Sequence, residues 1–149
     1  MMNKPKIAVI TGPTATGKTR LSVELARELG GEIVSADSMQ IYRGMDIGTA
    51  KVTQREMQGV PHHMLDVASP FEAYSVSRYV EQASACIDDI LARGKLPIVA
   101  GGTNLYIDSL IAGLDFAENE QDNALREALG RQYDTTGGEA MLERLRGFD

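Results

Sequence analysis

The octapeptide GPTATGKT, residues 12–19, matches a phosphate-binding pattern at every fixed position. Gly12 and Gly17 allow turns that point successive backbone N–H groups at an anion. Lys18 adds a charge that can reach the outer phosphates, and the Thr19 hydroxyl can ligate a magnesium ion held by them. A helix that begins here would direct its positive end at the same anion. The motif therefore predicts a site for a phosphate-bearing ligand with Mg²⁺.

Asp37 is the first candidate for a catalytic group outside this loop. It ends the segment EIVSAD, which has the composition of a short buried strand. Ligands of open α/β sheets bind at the carboxyl ends of the strands, so this carboxylate should lie beside the phosphate site. There it could hold magnesium through water or take a proton from an incoming nucleophile. The structural alternative is a carboxylate that caps a turn, with Ser38 completing the cap.

The residues that follow, DSMQIYRGMDIGTAK, form an unusual loop. Gln40 could read the edge of a nucleobase with its paired donor and acceptor, and Tyr42 could stack on a base. Arg43 and Lys51 could contact phosphates. A mobile surface loop with solvated charges explains the same composition. The residues by themselves leave both interpretations open.

Two further segments place polar groups beside proline or glycine. In VPHHMLD, His62 and His63 point in different directions and no third ligand has an obvious spacing. This favours hydrogen bonding or nucleic-acid contact over a metal site. In GGTNLY, the backbone amides and the Thr103 hydroxyl could face a second ligand where a strand leads into a helix. Ordinary turn chemistry is the alternative for this segment.

Alternating strands and helices must position these groups. The apolar patterns predict strands at 6–11, 32–37 and 96–102, and helices at about 18–29, 53–58, 75–93 and 103–113. Gly30 and Gly31 should end the first helix, while Ser75 and Thr103 should cap the third and fourth. Residues 60–70 should form an extended connector. This order predicts an α/β fold, in which helices cover a parallel sheet.

The composition becomes polar and acidic after Leu114. Two helices with thin apolar faces are expected there, at about 123–133 and 138–146. The three predicted strands are fewer than the about five that doubly wound sheets usually have. We therefore expect that the sequence is incomplete.

The overall composition is that of a globular protein without a membrane span. The net charge of −6 argues against a general nucleic-acid binder, although acidic residues outnumber basic ones only after residue 65. Cys86 is the single cysteine, and its place on the apolar stripe of a helix favours a buried, inert thiol. The N-terminal segment enters the phosphate motif without a cleavage site, so we expect a cytoplasmic protein.

Four segments together resemble the successive motifs of the tRNA dimethylallyltransferase family, also called tRNA isopentenyltransferases: GPTATGKT, ADSMQIYRGMDIGTAK, VPHHMLD and IVAGGTNLY. Kinases with the same phosphate loop lack the two middle motifs. Asn104 departs from the family, which usually has glycine there, and should be a mild change. The resemblance implies a P-loop NTPase-like parallel sheet flanked by helices over residues 1–114. Residues 115–149 would begin a helical tRNA-binding insertion.

The activity implied by this resemblance is transfer of a dimethylallyl group from its diphosphate to N6 of the adenosine 3′-adjacent to the tRNA anticodon. The implied diphosphate site comprises Gly12, Pro13, Thr14, Ala15, Thr16, Gly17, Lys18 and Thr19. In the implied catalytic set of Asp37, Lys18 and Thr19, Asp37 is the general base and Thr19 ligates Mg²⁺. The implied tRNA contacts are Asp37, Ser38, Met39, Gln40, Thr103 and Arg126.

Two other functions remain compatible with the residues. A small-molecule or nucleotide kinase would bind ATP at the same loop, but it would need an arginine-bearing lid, and only scattered arginines follow the third strand. The chain could also bind diphosphate without modifying tRNA, because family members carry further C-terminal helices that contact tRNA. We expect a monomer whose partners are tRNA and dimethylallyl diphosphate, with no membrane association.

Overall fold

The computed structural model describes residues 6–113 and 123–147. Four strands are present in this part of the chain: β1 (Ala8–Thr11), β2 (Gly31–Ser35), β3 (His62–His63) and β4 (Leu96–Gly101). They form one sheet with the order β1-β4-β2-β3, and each neighbouring pair is parallel. The expected α/β fold with a parallel sheet is therefore confirmed.

Five helices accompany the strands in the described residues: α1 (Lys18–Leu29), α2 (Gln54–Met57), α3 (Val76–Ala92), α4 (Asn104–Ala112) and α5 (Asn123–Arg146). The chain divides into two compact units at residues 115 and 116, and α5 lies in the second. Gly137 interrupts α5 with φ 81° and ψ 165°. Because those angles are not helical, α5 consists of two helical pieces, as the sequence pattern predicts.

The sheet has a separate apolar cluster on each face. Side chains alternate between the faces of a strand, so neighbouring residues of one strand enter different clusters. Ile33 and Ile98 pack with α1, while Val34 and Val99 pack with α3 and α4. The cluster under α3 and α4 contains a stacked pair, Tyr79 and Tyr106, whose ring centroids are 4.1 Å apart. Helices therefore cover both faces of the buried strands β2 and β4, and the carboxyl ends of these strands support the loops that follow.

Gly101 lets the carboxyl ends of β2 and β4 approach closely. A Cβ atom at this position would lie 2.2 Å from the carbonyl oxygen of Ala36. Gly31 has a similar role at the other end, where a Cβ would lie 2.7 Å from the Leu96 oxygen. Gly30 ends α1 with φ 63°, so the two consecutive glycines serve different purposes.

Two sequence expectations differ from the structure. Residues 60–70 are not only a connector, because His62 and His63 pair with Ile33 and Val34 and form β3. A two-residue strand is too short to produce a recognisable apolar alternation. Thr103 occupies the N-cap position of α4, but its side chain makes no capping hydrogen bond. By contrast, the Ser75 side chain caps α3 as expected. In the described residues, no helix is long and apolar enough to cross a membrane.

Candidate functional site

The phosphate loop connects β1 to α1 and has an unusual backbone. Positive φ angles occur at Gly12 (152°), Ala15 (62°) and Gly17 (85°). Gly17 precedes the first residue of α1, so the unpaired N–H groups of the first helical turn lie beside the loop. The Thr16 hydroxyl donates to the Pro13 carbonyl at 2.8 Å, and the Lys18 ammonium donates to the same oxygen. Lys18 therefore lies across the loop, where it can exchange that carbonyl for a phosphate oxygen.

Asp37 follows the carboxyl end of β2, and its carboxylate has two roles open to it. One oxygen, Oδ1, accepts a hydrogen bond from the Met39 amide at 2.9 Å. The carboxylate therefore caps a turn, as the structural alternative predicts, and it also lines the main cavity. The other oxygen, Oδ2, makes no hydrogen bond within residues 6–113 and 123–147 and is available to accept a proton.

The backbone on both sides of Asp37 is held by β4 and by the start of α4. The Ala36 amide donates to the Ala100 carbonyl at 2.9 Å, and the Thr103 amide donates to the Ala36 carbonyl at 3.1 Å. The Thr103 hydroxyl accepts from the Ser38 amide at 2.9 Å. This bond explains why Thr103 does not cap α4, because its side chain is hydrogen-bonded to the loop that carries Asp37. The backbone on each side of Asp37 is therefore held in place.

Gln40 has its amide group turned toward the following loop. Its Nε2 donates to the carbonyls of Thr49 and Ala50, at 3.3 and 3.1 Å. Both amide protons are therefore used, and Oε1 is the group that remains for a ligand. Gln40 lines the same cavity as Asp37.

One cavity of about 660 Å³ brings most of the predicted site residues together. Of those residues, it is lined by Thr14, Ala15, Gly17, Lys18, Thr19, Asp37, Met39, Gln40 and Thr103. The remaining ones do not line it. Gly12, Pro13 and Thr16 shape the loop, and Ser38 holds the Thr103 hydroxyl. Arg126 lies on α5 in the second unit, where it is exposed, and its predicted tRNA contact stays a prediction.

Several lining residues that lie on the strands themselves were not predicted from the sequence. Ile33 and Ser35 share one face of β2 and line the cavity with Asp37. The period of two along EIVSAD would have identified them, because residues 33, 35 and 37 must point the same way. Val52 and Leu65 also line it, and they add apolar surface from loops that lack such a period.

The two adjacent histidines have separate environments. His62 lines the cavity, and its Nδ1 donates to the Val60 carbonyl at 2.8 Å. Burial lowers the pKa of His62, and the Val60 carbonyl offsets this only in part. At neutral pH the ring is therefore uncharged, and its Nε2 is an acceptor. His63 instead bonds Glu32 through Nε2 at 2.8 Å. No group of three or more His, Cys, Asp or Glu side chains in the described residues could hold a metal ion.

Glu32 is the centre of a buried ion-pair network outside the cavity. Its side chain is 3% exposed and contacts Arg93, Lys95 and His63. Hydrogen bonding to Arg93 lowers the pKa of Glu32 against the opposing effect of burial, and Lys95 and His63 lower it further. Both carboxylate oxygens are paired, so this network joins β2 to β3 and to the turn between α3 and β4, and leaves no Glu32 oxygen for catalysis.

Two expectations about single residues are also resolved. Lys51 does not face outward toward phosphates, since its ammonium bonds Asp46 and Asp66. Cys86 packs partly buried against the cluster under α3 and α4, and burial raises the pKa of its thiol. An inert thiol is the expected consequence. The mild effect expected of Asn104 stays a prediction; its Oδ1 accepts a hydrogen bond of 3.3 Å from the Thr11 hydroxyl.

Family models match most of the chain. The model described as IPP transferase matches residues 40–149, and the model described as isopentenyl transferase matches residues 5–73. The chain belongs to the IPP transferase family. The resemblance seen in the sequence motifs is thereby confirmed.

Individual members of the family agree with this assignment. The tRNA dimethylallyltransferase of Exiguobacterium sp. is 53% identical over 148 residues, which are 99% of this chain and 48% of the relative. That of Geobacillus thermodenitrificans is 54% identical over 144 residues, or 97% and 46%. The chain therefore spans about half the length of the curated relatives it matches.

Solved structures give the same fold. The full-length tRNA isopentenylpyrophosphate transferase of Bacillus halodurans has a TM-score of 0.76 and 44% identity, and the match covers 98% of this chain and 48% of that one. A eukaryotic dimethylallyltransferase acting on tRNA has a TM-score of 0.71 and 37% identity, covering 78% and 28%. With these neighbours, the predicted P-loop NTPase-like fold of the IPP transferases is confirmed.

Proposed function

We propose that this chain is the donor- and adenine-binding part of a tRNA dimethylallyltransferase. One observation carries the proposal: the phosphate loop and the pair Asp37 and Gln40 line the same cavity, at the carboxyl ends of β2 and β4. A nucleophile bound by that pair would lie next to the carbon that a bound diphosphate releases. A transfer between two substrates requires this proximity.

The phosphate loop would hold the diphosphate of the prenyl donor. Backbone amides of the loop and of the first turn of α1 would bind its oxygens, together with the Lys18 ammonium. The Thr19 hydroxyl is an oxygen ligand of the kind magnesium prefers and lines the cavity beside Lys18. Thr19 would help to hold Mg²⁺, which would supply charge that stabilises the departing pyrophosphate.

The cavity also offers apolar surface suited to a prenyl chain. Ile33, Val52 and Leu65 line it together with the polar groups. We therefore propose that these three side chains contact the dimethylallyl group and keep water from the reacting carbon.

In the proposed reaction, the N6 nitrogen of adenine attacks C1 of the dimethylallyl group. The N6–C1 bond forms as the C1–O bond breaks, and the electron pair of that bond leaves with pyrophosphate. The attacking amine then loses one proton to Oδ2 of Asp37, which acts as the general base. An adenine within a stacked anticodon loop must first leave the stack to reach this position.

Contacts to the rest of the tRNA belong to the same proposal. Met39 and Thr103 line the cavity, and the Ser38 amide donates to the Thr103 hydroxyl. Arg126 would contact tRNA from the helical unit, which is proposed to be the start of a tRNA-binding insertion. A cytoplasmic location and a monomeric state complete the proposed description.

The test compares two reactions at the same loop. The chain is incubated with Mg²⁺, an anticodon stem-loop RNA and radiolabelled dimethylallyl diphosphate, and in parallel with radiolabelled ATP. Transfer of label to the RNA from the prenyl donor supports the proposal, whereas preferred binding of ATP with phosphate transfer overturns it in favour of a kinase. Donor binding without transfer would assign this chain the inactive diphosphate-binding function instead.

A further inference from the structure

Lys51 lies almost completely inside the loop region that follows β2. Its side chain is 7% exposed, and its ammonium has three acceptors. These are the Tyr42 carbonyl at 2.7 Å, Asp46 Oδ1 at 2.8 Å and Asp66 Oδ1 at 2.6 Å. An ammonium has three protons, so none is left for an external phosphate. Burial lowers the pKa of Lys51, but the two carboxylates more than compensate and raise it, so the group stays charged.

These three bonds join separate parts of the chain. Tyr42 and Asp46 belong to the loop between β2 and α2, whereas Asp66 follows β3. The Asp66 amide also donates to the Gln40 carbonyl at 3.2 Å. Lys51 therefore fastens the loop, along its length, to the segment that leaves β3.

The loop that Lys51 fastens supplies both acceptors of the Gln40 amide. They are the carbonyls of Thr49 and Ala50, the two residues immediately before Lys51. Ala50 has φ 49°, a left-handed conformation that a non-glycine residue keeps only where its surroundings impose it. The direction of these carbonyls, and hence of the Gln40 side chain, depends on the anchoring of Lys51.

We propose that Lys51 is a positioning residue that selects adenine by fixing the Gln40 amide with Oε1 toward the cavity. This inference rests on the proposed function. Oε1 and the Asp37 carboxylate are both acceptors, and together they match the two protons of an exocyclic amine. Guanine presents the acceptor O6 at the corresponding place and is disfavoured. If the amide could turn freely, Nε2 would donate to O6 and the discrimination would fall.

The first experiment measures the link between the two side chains without any substrate. The Gln40 side-chain NH₂ signal is assigned by its loss in Gln40→Glu, and its exchange with solvent is followed by NMR. In Lys51→Met we expect this exchange to accelerate about tenfold. The Gln82 side-chain signal, from α3, is the internal reference and should not change. Unchanged Gln40 exchange, or equal acceleration of both signals, overturns the proposal.

A milder variant is included because Lys51→Met leaves a cavity of altered charge and could fail to fold. Asp66→Asn removes one of the two charged partners of Lys51. The Asp66 side chain is 48% exposed, so its replacement disturbs the packing little. It should accelerate Gln40 exchange less than Lys51→Met does, but still selectively. If Lys51→Met does not fold and Asp66→Asn leaves the Gln40 signal unaffected, the positioning role is refuted.

The second experiment measures how strongly the chain prefers one of two anticodon stem-loops, which carry A or G at the target position. The native chain should prefer the A-containing RNA about tenfold. Lys51→Met should lose most of this preference, while its affinity for dimethylallyl diphosphate stays the same. Lys95→Met is the matched control, because Lys95 is also paired to a carboxylate but does not line the cavity. It should keep the preference.

The two experiments separate failure of the inference from failure of the proposed function. If the native chain does not distinguish the two RNAs, the proposed function fails, and the exchange measurement still decides whether Lys51 orients Gln40. If the native chain distinguishes them and Lys51→Met does so equally well, the inference fails while the proposed function stands.

Discussion

The close approach of β2 and β4 at Gly101 makes a sharp stability prediction. In Gly101→Ala the new Cβ would lie 2.2 Å from the Ala36 oxygen, 2.4 Å from its carbonyl carbon and 2.8 Å from its Cα. Ordinary contacts begin near 3.4 Å, so the Ala36 peptide must move by about 1 Å. Ala36 cannot move alone, because Ala100 and Thr103 hold it through backbone hydrogen bonds.

We expect Gly101→Ala to lower the free energy of unfolding by about 3 kcal/mol, the upper end for overpacking, since the clash involves two central strands. With a urea m-value of about 2 kcal/mol/M, the unfolding midpoint should fall by about 1.5 M. Urea titration followed by circular dichroism measures this shift. The rate of prenyl transfer should fall as well, because the moved peptide precedes Asp37, the proposed general base.

Gly102→Ala is the matched control for this prediction. Gly102 is the next residue, and a Cβ there would meet only the Gly12 oxygen, at 3.7 Å, which is an ordinary contact. Its midpoint should stay close to that of the native chain. If the two variants unfold at the same urea concentration, the close approach at Gly101 does not govern the packing of β2 on β4, and the reasoning is refuted.

Three further predictions concern the charged groups. Lys18→Ala should weaken dimethylallyl diphosphate binding about tenfold or more, as measured by calorimetry, and an unchanged affinity would contradict the assigned site. Asp37→Asn keeps an Oδ1 acceptor for the turn but removes the base. Prenyl transfer should therefore slow about a hundredfold or more, with the donor affinity intact. A loss confined to donor binding would instead assign Asp37 to magnesium binding. Because hydrogen bonding to Arg93 lowers the folded-state pKa of Glu32, its contribution to stability is fully present above pH 4.5 and is lost as the pH falls toward the lower folded-state pKa. Urea midpoints measured from neutral pH to about pH 3 should therefore fall less steeply in Glu32→Gln than in the native chain. Asp89 is an exposed partner of Arg93, so Asp89→Asn should leave this pH dependence nearly unchanged.

Local patterns predicted the elements of the first unit well. The helix and strand bounds agree to within about two residues, because each element has its own apolar period and its own cap. Gly30 and Ser75 are such signals, and each acts over one turn of chain. The short strand β3 was not predicted, because its two residues become a strand only by pairing with Ile33 and Val34.

The candidate site was predicted in its residue types and only partly in its contacts. The phosphate motif names its own ligand class, since its glycines, lysine and threonine act within eight consecutive residues. Thr103 shows the limit of this reasoning. The sequence predicts that Thr103 caps the helix it precedes, which is a local interaction. Instead, its hydroxyl accepts a hydrogen bond from the Ser38 amide, which is distant along the chain.

The sequence by itself determined what kinds of group are present: a phosphate loop, an acid at the end of a strand, and motifs shared with one enzyme family. Only the tertiary structure decided which of them face one another. It turned His62 toward the cavity and His63 toward Glu32, and it buried Lys51 between Asp46 and Asp66. The physical reason is that hydrogen bonds and ion pairs depend on distances of about 3 Å, and the parallel sheet brings such partners together from strands separated by entire helices.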